Sequence, residues 1–299
     1  MAGSGTTALA TDVSTPYGMG FNVMGTGYAS RGYGQTTFGA TKNVGDTITA
    51  NDFNNIRYDL LNASAHQNGS AAALTLAGNV TGNIINSTDP NAFGPYAATI
   101  DSDRFNCHSS RKSTGAAGSN SRTSSWASSV SAVYALTFSS ANQARWFWNG
   151  GGKIRFASSR TGGAASAQNT SWSSLLTSAG TQEFGGISYL GWNNNVPSTL
   201  YTISSSAPYA SNTYAIVASS NVTTNLGGDA TIFYFTLTWT DPYVDPSPGN
   251  PPAPEDIITG TLSYSVEITA PTGSHALTPS GTWTGYTYSS FSAGAITGG

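Results

Sequence analysis

Residues 145–156, RWFWNGGGKIRF, combine residue types that occur in several kinds of binding site. Three cations and four aromatic side chains flank three consecutive glycines. A phosphate-binding P-loop needs a glycine five positions before the glycine of its glycine-lysine pair, and a serine or threonine directly after the lysine. Phe147 and Ile154 occupy those two positions. The segment therefore predicts a β-hairpin, in which the glycines form the turn between an aromatic strand and a basic strand.

Metal-binding and nucleophilic patterns are also incomplete. The histidines are far apart, at His66, His108 and His275. Cys107 lies directly beside His108, and adjacent ligands have poor chelate geometry. The G-x-S-x-G motif of serine hydrolases does not occur. We expect no metal and no cofactor.

The densest acidic segment is DSDRF, residues 101–105. On a strand, Asp101 and Asp103 would present two carboxylates on one face, and paired carboxylates are what a glycosidase uses. A hydrogen-bonded turn or an ion pair with Arg104 is the commoner arrangement for such residues. We predict that the protein is not an enzyme.

Charge is scarce in this chain. Charged residues make up 8% and aromatic residues 11%, whereas roughly 25% of an average domain is charged. Small polar residues with scattered aromatics favour an all-β protein with many turns. A net charge of -3 argues against nucleic-acid binding, which needs clustered lysines and arginines. A weakly charged surface also suits a subunit that remains inside an assembly.

The N-terminus MAGSGTTALATDVSTP lacks the basic and apolar regions of a signal peptide. The chain also lacks an apolar run of the roughly 20 residues that a membrane helix needs. Cys107 is the single cysteine, which excludes an intrachain disulfide. We expect synthesis in a cytosol, with no membrane insertion.

Residues 46–70 contain the clearest helix pattern. Thr49 with Asp52 predicts its start, and Gly69 its end. The apolar stripe comprises Phe53, Ile56, Leu60 and Ala63. Two interpretations remain open: a helix packed on its own domain, or a short coiled-coil neck that joins two or three subunits.

The later part of the chain shows the alternating pattern of half-buried strands. It is clearest in SAVYALTF (131–138), ATIFYFTLTWT (230–240) and GTLSYSVEITA (260–270). A second helix is predicted at 170–180, and a basic surface loop at 106–128. The proline-rich segment 241–256 is expected to be a loop that joins two paired strands.

These patterns predict a mainly β protein with an antiparallel, β-sandwich-like domain, an N-terminal extended arm and one short helix. The arm covers 1–45, and is either flexible or ordered against a neighbouring subunit. The helix or neck covers 46–70, and the β domain 71–299. The turn near residues 193–197 predicts surface aromatics at Tyr189 and Trp192, and we expect two more at Trp283 and Tyr286.

Three stretches carry a resemblance to virion structural proteins of tailed bacteriophages, especially phages of cyanobacteria. They are YGQTTFGATKNVGDTITANDFNNIRYDLLNASAHQNG, ARWFWNGGGKIRFASSRTGGAASAQNTSWSSLLTSAGT and DATIFYFTLTWTDPYVDPSPGNPPAPEDIITGTLSYSVEI. Together they cover under half of the chain. The resemblance implies a particle-borne tail, baseplate, neck or fibre component without catalytic residues, with an N-terminal attachment region.

The resulting expectation is a multimeric virion protein, a homotrimer that contacts other virion proteins. Its β domain would be exposed, with a host-surface glycan as a candidate partner. Two alternatives stay open, namely a capsid decoration (cement) protein and a carbohydrate-binding or depolymerising module. The sequence favours neither nucleic acid nor membrane as a partner.

Overall fold

The computed structural model describes residues 23–25, 32–39, 45–47, 49–70, 88–223, 229–244, 257–273 and 275–298. Its helices are α1 (Ala50–Asn68), α2 (Thr88–Ser102), α3 (Ala141–Asn149) and α4 (Ala167–Ala179), with 3-10 turns at Ser109–Arg111 and Gly186–Gly191. Its strands are β1 (Lys112–Arg122), β2 (Ser129–Phe138), β3 (Lys153–Thr161), β4 (Thr181–Gly185), β5 (Ser198–Ser204), β6 (Thr213–Ser220), β7 (Ile232–Thr240), β8 (Thr261–Pro271), β9 (Tyr288–Ala293) and β10 (Thr297–Gly298).

Two antiparallel sheets face each other, which confirms the predicted β-sandwich-like fold. The four-stranded sheet has the order β1-β8-β3-β4, and the six-stranded sheet the order β10-β2-β7-β6-β5, with β9 also paired to β2. Aromatic rings fill the space between the sheets. The ring centroid of Phe156 lies 5.8 Å from that of Tyr134 and 5.2 Å from that of Phe235. Large aromatic side chains bury about 150–250 Å² each, so this layer dominates the core.

The alternating burial predicted for the strands is confirmed. The buried positions that alternate are Val130, Ala132, Tyr134, Leu136 and Phe138 on β2, Phe233, Phe235, Leu237 and Trp239 on β7, and Leu262, Tyr264, Val266 and Ile268 on β8. The residues between them face outward and are mostly polar. The hydrophobic pattern therefore fixes which face of each strand is inside.

Both predicted ends of α1 are also confirmed. The Thr49 amide donates to Asp52 Oδ2 at 2.7 Å, as in a capping box. Gly69 adopts φ 83°, and its amide donates to the Ala65 carbonyl. The helix predicted at 170–180 is α4, which begins earlier than predicted, at Ala167, with Ser166 as its N-cap.

The predicted β-hairpin at 145–156 is wrong. Its aromatic half is the helix α3, which begins where Ser140 Oγ accepts a hydrogen bond from the Gln143 amide. On a helix, the adjacent Phe147 and Trp148 can both reach the core, and both are fully buried. A strand would have turned one of them outward, so burial of two large aromatic side chains favours the helix.

Three further expectations need correction. The predicted loop at 106–128 contains β1, which pairs antiparallel with β8 at ten positions, from Lys112 opposite Pro271 to Arg122 opposite Leu262. The two strands on either side of the proline-rich segment, β7 and β8, were expected to pair, but they belong to different sheets. Residues 245–256 of that segment lie outside the described ranges. The described chain also holds two helices that were not predicted, α2 and α3, beside α1 and α4.

Part of the predicted arm packs on the body of the protein. Tyr33 is fully buried, and its hydroxyl donates to the Arg104 carbonyl at 2.7 Å. The buried Asp59 carboxylate accepts the amides of Phe38 at 2.9 Å and Gly39 at 3.0 Å. Residues 32–39 are thus part of the folded unit, whereas 1–22, 26–31 and 40–44 of the arm lie outside the described ranges.

Candidate functional site at the mouth of the sandwich

A cleft opens between one end of the four-stranded sheet and the segment that leads into β9. We call it the mouth cleft. Its volume is about 620 Å³, within the range of about 300–1,000 Å³ typical of small-molecule sites. β1, β8 and residues 285–288 form its walls, and none of the residues that line it carries a charge.

The strand register explains why the cleft is open. Gly115 of β1 lies opposite Ile268 of β8, and Ser113 lies opposite Ala270. A Cβ placed on Gly115 would have no atom within 4 Å. The absence of a side chain at Gly115 therefore leaves space above the strand.

A close crossing of two chain segments closes one end of the cleft. A Cβ on Gly273 would lie 2.5 Å from the Gly285 amide nitrogen, and a Cβ on Gly285 would lie 2.7 Å from that of Gly273. Real Cβ atoms do not approach so closely, so this crossing requires glycine on both sides. It holds Tyr286 and Tyr288 beside the end of β8.

The wall at residues 284–286 is also tied to the N-terminal region. The Tyr286 hydroxyl donates to the Tyr33 carbonyl at 2.5 Å. Gln35 Nε2 donates to the Thr284 carbonyl at 2.9 Å, and the Thr284 amide donates to Gln35 Oε1 at 2.7 Å. None of these three hydrogen bonds involves Tyr288. Tyr288 is half-buried whereas Tyr286 is buried, so Tyr288 is the more accessible aromatic residue of the cleft.

A buried cluster of histidines and tryptophan lies behind this wall. The rings of Trp283 and His66 stack with centroids 4.0 Å apart and planes within 6°, and His275 stacks on Trp283 at 4.8 Å. His66 Nε2 donates to the Gly150 carbonyl at 2.7 Å. These rings join α1, the end of α3 and the C-terminal region.

Both imidazoles of the cluster are neutral near neutral pH. Burial lowers the pKa of His66 to about 3, although its bond to Gly150 acts in the opposite direction. Burial and, to a smaller extent, the positive charge of Arg111 together lower the pKa of His275 to about 4. The cluster therefore acts as apolar packing, and protonation would disrupt it.

The outer face of the four-stranded sheet carries a cross-strand ion-pair network. Lys153 Nζ lies 2.5 Å from Glu183 Oε1, and Arg155 Nε lies 2.6 Å from Glu183 Oε2. Arg155 Nη1 also lies 3.9 Å from Glu267 Oε2. Burial alone would raise the pKa of Glu183, but the hydrogen bonds from Lys153 and Arg155 lower it below its ordinary value. Two cations and two anions cancel within this network.

Beside the network, the same sheet face is covered by small side chains. Two cross-strand rows make up this serine face, Ser119-Ser265-Ala157 and Ser121-Ser263-Ser159. They line a shallow groove of about 560 Å³. The serine face is uncharged, and its side chains are short enough for another flat protein surface to approach the sheet closely.

No family model, curated protein or solved structure matches this chain. Within the described ranges, no helix combines the length and apolar character needed to cross a membrane. The longest of them, α1, carries Asp52, Arg57 and Asp59.

The predicted surface aromatics are not on the surface. Exposure is 0% for Tyr189, 1% for Trp192, 0% for Trp283 and 6% for Tyr286. Trp192, for example, packs on the β7 rings, with its centroid 5.3 Å from that of Phe235. Of the four, Tyr286 lines the mouth cleft, and the accessible ring there belongs to Tyr288, two residues further along the chain.

The apolar stripe of α1 is covered within one chain. Phe53, Ile56, Leu60 and Ala63 are all buried. Phe53 packs on Phe93 of α2, with ring centroids 6.2 Å apart. This burial supports a helix packed on its own domain over a coiled-coil neck.

The acidic segment does not form a carboxylate pair on a strand. Asp101 lies in the last turn of α2, and its Oδ2 lies 3.4 Å from Arg104 Nη1, in the predicted ion pair. Cys107 is half-buried, and desolvation raises the pKa of its thiol to about 12. In the described part of the chain, no group of three or more His, Cys, Asp or Glu could hold a metal ion.

Proposed function

We propose that the chain is a non-catalytic structural subunit of a tailed-bacteriophage particle, assembled as a homotrimer with its β-sandwich exposed. The phage assignment rests on the resemblance of the three sequence stretches quoted above. The serine face is the observation that supports the role of an assembled subunit. Particle attachment is proposed for the N-terminal region outside residues 32–39, because those residues pack on the chain's own core.

The serine face fits an interface between subunits because it lacks features that oppose close packing. Protein interfaces are depleted of charge at their centres. The neighbouring ion-pair network already neutralises its own charges, so covering it leaves no net charge unpaired. Serine hydroxyls in regular rows can donate and accept hydrogen bonds across such a contact.

The location of the protein in particles tests the phage assignment. Gradient-purified particles would be analysed by mass spectrometry and by gold-labelled antibody in electron microscopy. Label on the tail, neck or fibre supports the proposal. Label on the capsid lattice would favour the decoration-protein alternative, and absence from particles would refute both.

The contribution of the serine face can be tested separately on the purified protein. We expect Ser263→Arg with Ser265→Arg to prevent trimer formation in analytical ultracentrifugation while leaving the circular dichroism spectrum unchanged. Ser290→Arg, an exposed serine of β9, is the matched control and should still form trimers. Trimers that survive the double substitution would contradict a role for this face.

A further inference from the structure

We propose that the mouth cleft binds an uncharged saccharide. The proposal deepens the exposed, host-facing role given above and rests on it for its biological meaning. The binding itself is a property of the isolated chain. It is carried by the size of the cleft, its accessible tyrosine, its hydroxyl groups and the absence of charge among its lining residues.

The chemistry of the lining matches the two kinds of surface on a sugar ring. A pyranose has an apolar face of C–H groups and a rim of hydroxyls. The half-buried ring of Tyr288 offers a flat aromatic surface for the apolar face. Ser113 and Thr287 place hydroxyls around the same space, where they can donate to or accept from the sugar hydroxyls.

The absence of charge selects against other ligands. A phosphate or an acidic sugar would need a cation in the cleft to compensate for lost hydration, and the lining supplies none. A proline-rich peptide docks on grooves with several aromatic rings in series. Here Tyr288 is the accessible ring, because Tyr286 is 6% exposed and its hydroxyl is bonded to the Tyr33 carbonyl.

The cleft is also held open before any ligand binds. The glycine crossing at 273 and 285 fixes one end, and Gln35 and Tyr33 hold the wall from behind. A site with fixed walls loses little conformational freedom on binding, which favours affinity for a small ligand. The open space above Gly115 is where we place part of the sugar.

The test uses the full-length chain with neutral gluco-, xylo- and galacto-oligosaccharides, with oligogalacturonate as the charged comparison. Isothermal titration calorimetry should show binding of at least one neutral oligosaccharide and weaker binding of oligogalacturonate. Tyr288→Ala should lower the affinity about tenfold or more, as loss of an aromatic anchor does. Tyr288→Phe should retain most of it.

A cavity-filling variant distinguishes loss of the binding site from loss of the folded structure. Gly115→Leu should also abolish binding while keeping the melting temperature, since its Cβ meets no atom within 4 Å. Gly191→Leu is the matched control, because Gly191 is equally open but lies in the 3-10 turn away from the cleft, and it should bind normally.

Failure to bind every neutral oligosaccharide, or binding that Gly115→Leu leaves unchanged, would overturn the proposal. Preference for the acidic sugar, or for a proline-rich peptide, would overturn it as well. These outcomes are distinct from failure of the phage assignment, which depends on finding the protein in particles.

Discussion

Acid should destabilise this fold through the two histidines stacked on Trp283. His66 and His275 are 0% and 4% exposed, and burial holds the pKa of each well below its ordinary value of 6.5. The unfolded chain takes up protons on both residues below about pH 6.5, whereas the folded chain does not. The stability that these residues contribute is therefore complete above that pH and is lost as the pH falls.

The expected magnitude follows from the pKa differences. Between about pH 8 and pH 5, each histidine costs about 2 kcal/mol of unfolding free energy, or about 4 kcal/mol together. Asp59 acts in the opposite direction, because burial raises its pKa to about 6. Proton uptake by folded Asp59 returns about 1.4 kcal/mol over the same interval, which leaves a net loss of about 3 kcal/mol.

Urea unfolding at a series of pH values measures this slope. His275→Phe should remove about 2 kcal/mol of the loss between about pH 8 and pH 5. Neither ring nitrogen of His275 has a hydrogen-bond partner among the described residues, so phenylalanine should also be tolerated at the higher pH. His66→Phe should flatten the slope equally but lower stability at the higher pH, because the Gly150 carbonyl loses its donor.

The slope, rather than the absolute stability, decides the matter. If His275→Phe and the unsubstituted protein lose the same free energy on acidification, then His275 is already protonated or solvated in the folded state. That result would refute the neutral stack. Asp59→Asn should steepen the loss on acidification; a loss that disappears with Asp59→Asn instead would show that Asp59, rather than the two histidines, causes it, and that the direction assigned to the pKa of Asp59 is wrong.

Three other substitutions test separate parts of the structure. Leu60→Asp should lower the free energy of unfolding, measured in urea titrations, by about 3 kcal/mol or more, because it places a charge in the core. A variant that folds normally but does not assemble would instead support the neck interpretation. Gly34→Ala should lower the free energy of unfolding by at least about 2 kcal/mol more than Gly45→Ala does. Both glycines have positive φ, but a Cβ at Gly34 would overlap the Trp146 ring, whereas a Cβ at Gly45 meets no atom within 4 Å. Glu183→Gln should cost about 1 kcal/mol or less, and the difference should shrink in high salt, because its ion pairs are partly exposed.

The sequence allowed the clearest strands to be predicted because their inward-facing apolar residues recur with a period of two. Phe233, Phe235, Leu237 and Trp239 on β7 and Leu262, Tyr264, Val266 and Ile268 on β8 are buried, so the inward face of each strand was identified directly. The start and end of α1 were equally accessible, because Thr49, Asp52 and Gly69 act through local hydrogen bonds. Local rules were sufficient where the residues that decide the structure are neighbours.

Prediction failed where contacts between residues far apart in the sequence determine the local structure. The segment around Trp146–Trp148 has no uninterrupted period, and its helix is stabilised by contacts of Phe147 and Trp148 with residues far along the chain. The centroid of Trp148, for instance, lies 5.4 Å from that of Trp192 and 5.5 Å from that of Phe233. β1 was missed for the opposite reason, because KSTGAAGSNSR has almost no apolar residues to form a pattern. It is held by pairing with β8.

Long-range packing also explains why the aromatic residues predicted to lie on the surface are buried. A sandwich with a wide interior and few charges must fill its core with large side chains, and six of the seven tryptophans are buried there. An accessible aromatic ring then requires a gap in the packing, and a gap requires a position without a side chain. Gly115 is exposed although it lies opposite the buried Ile268, and Tyr288 lines the same cleft. In a chain of this composition, the position of a glycine opposite a buried strand residue is therefore a better guide to a binding site than the position of a tryptophan.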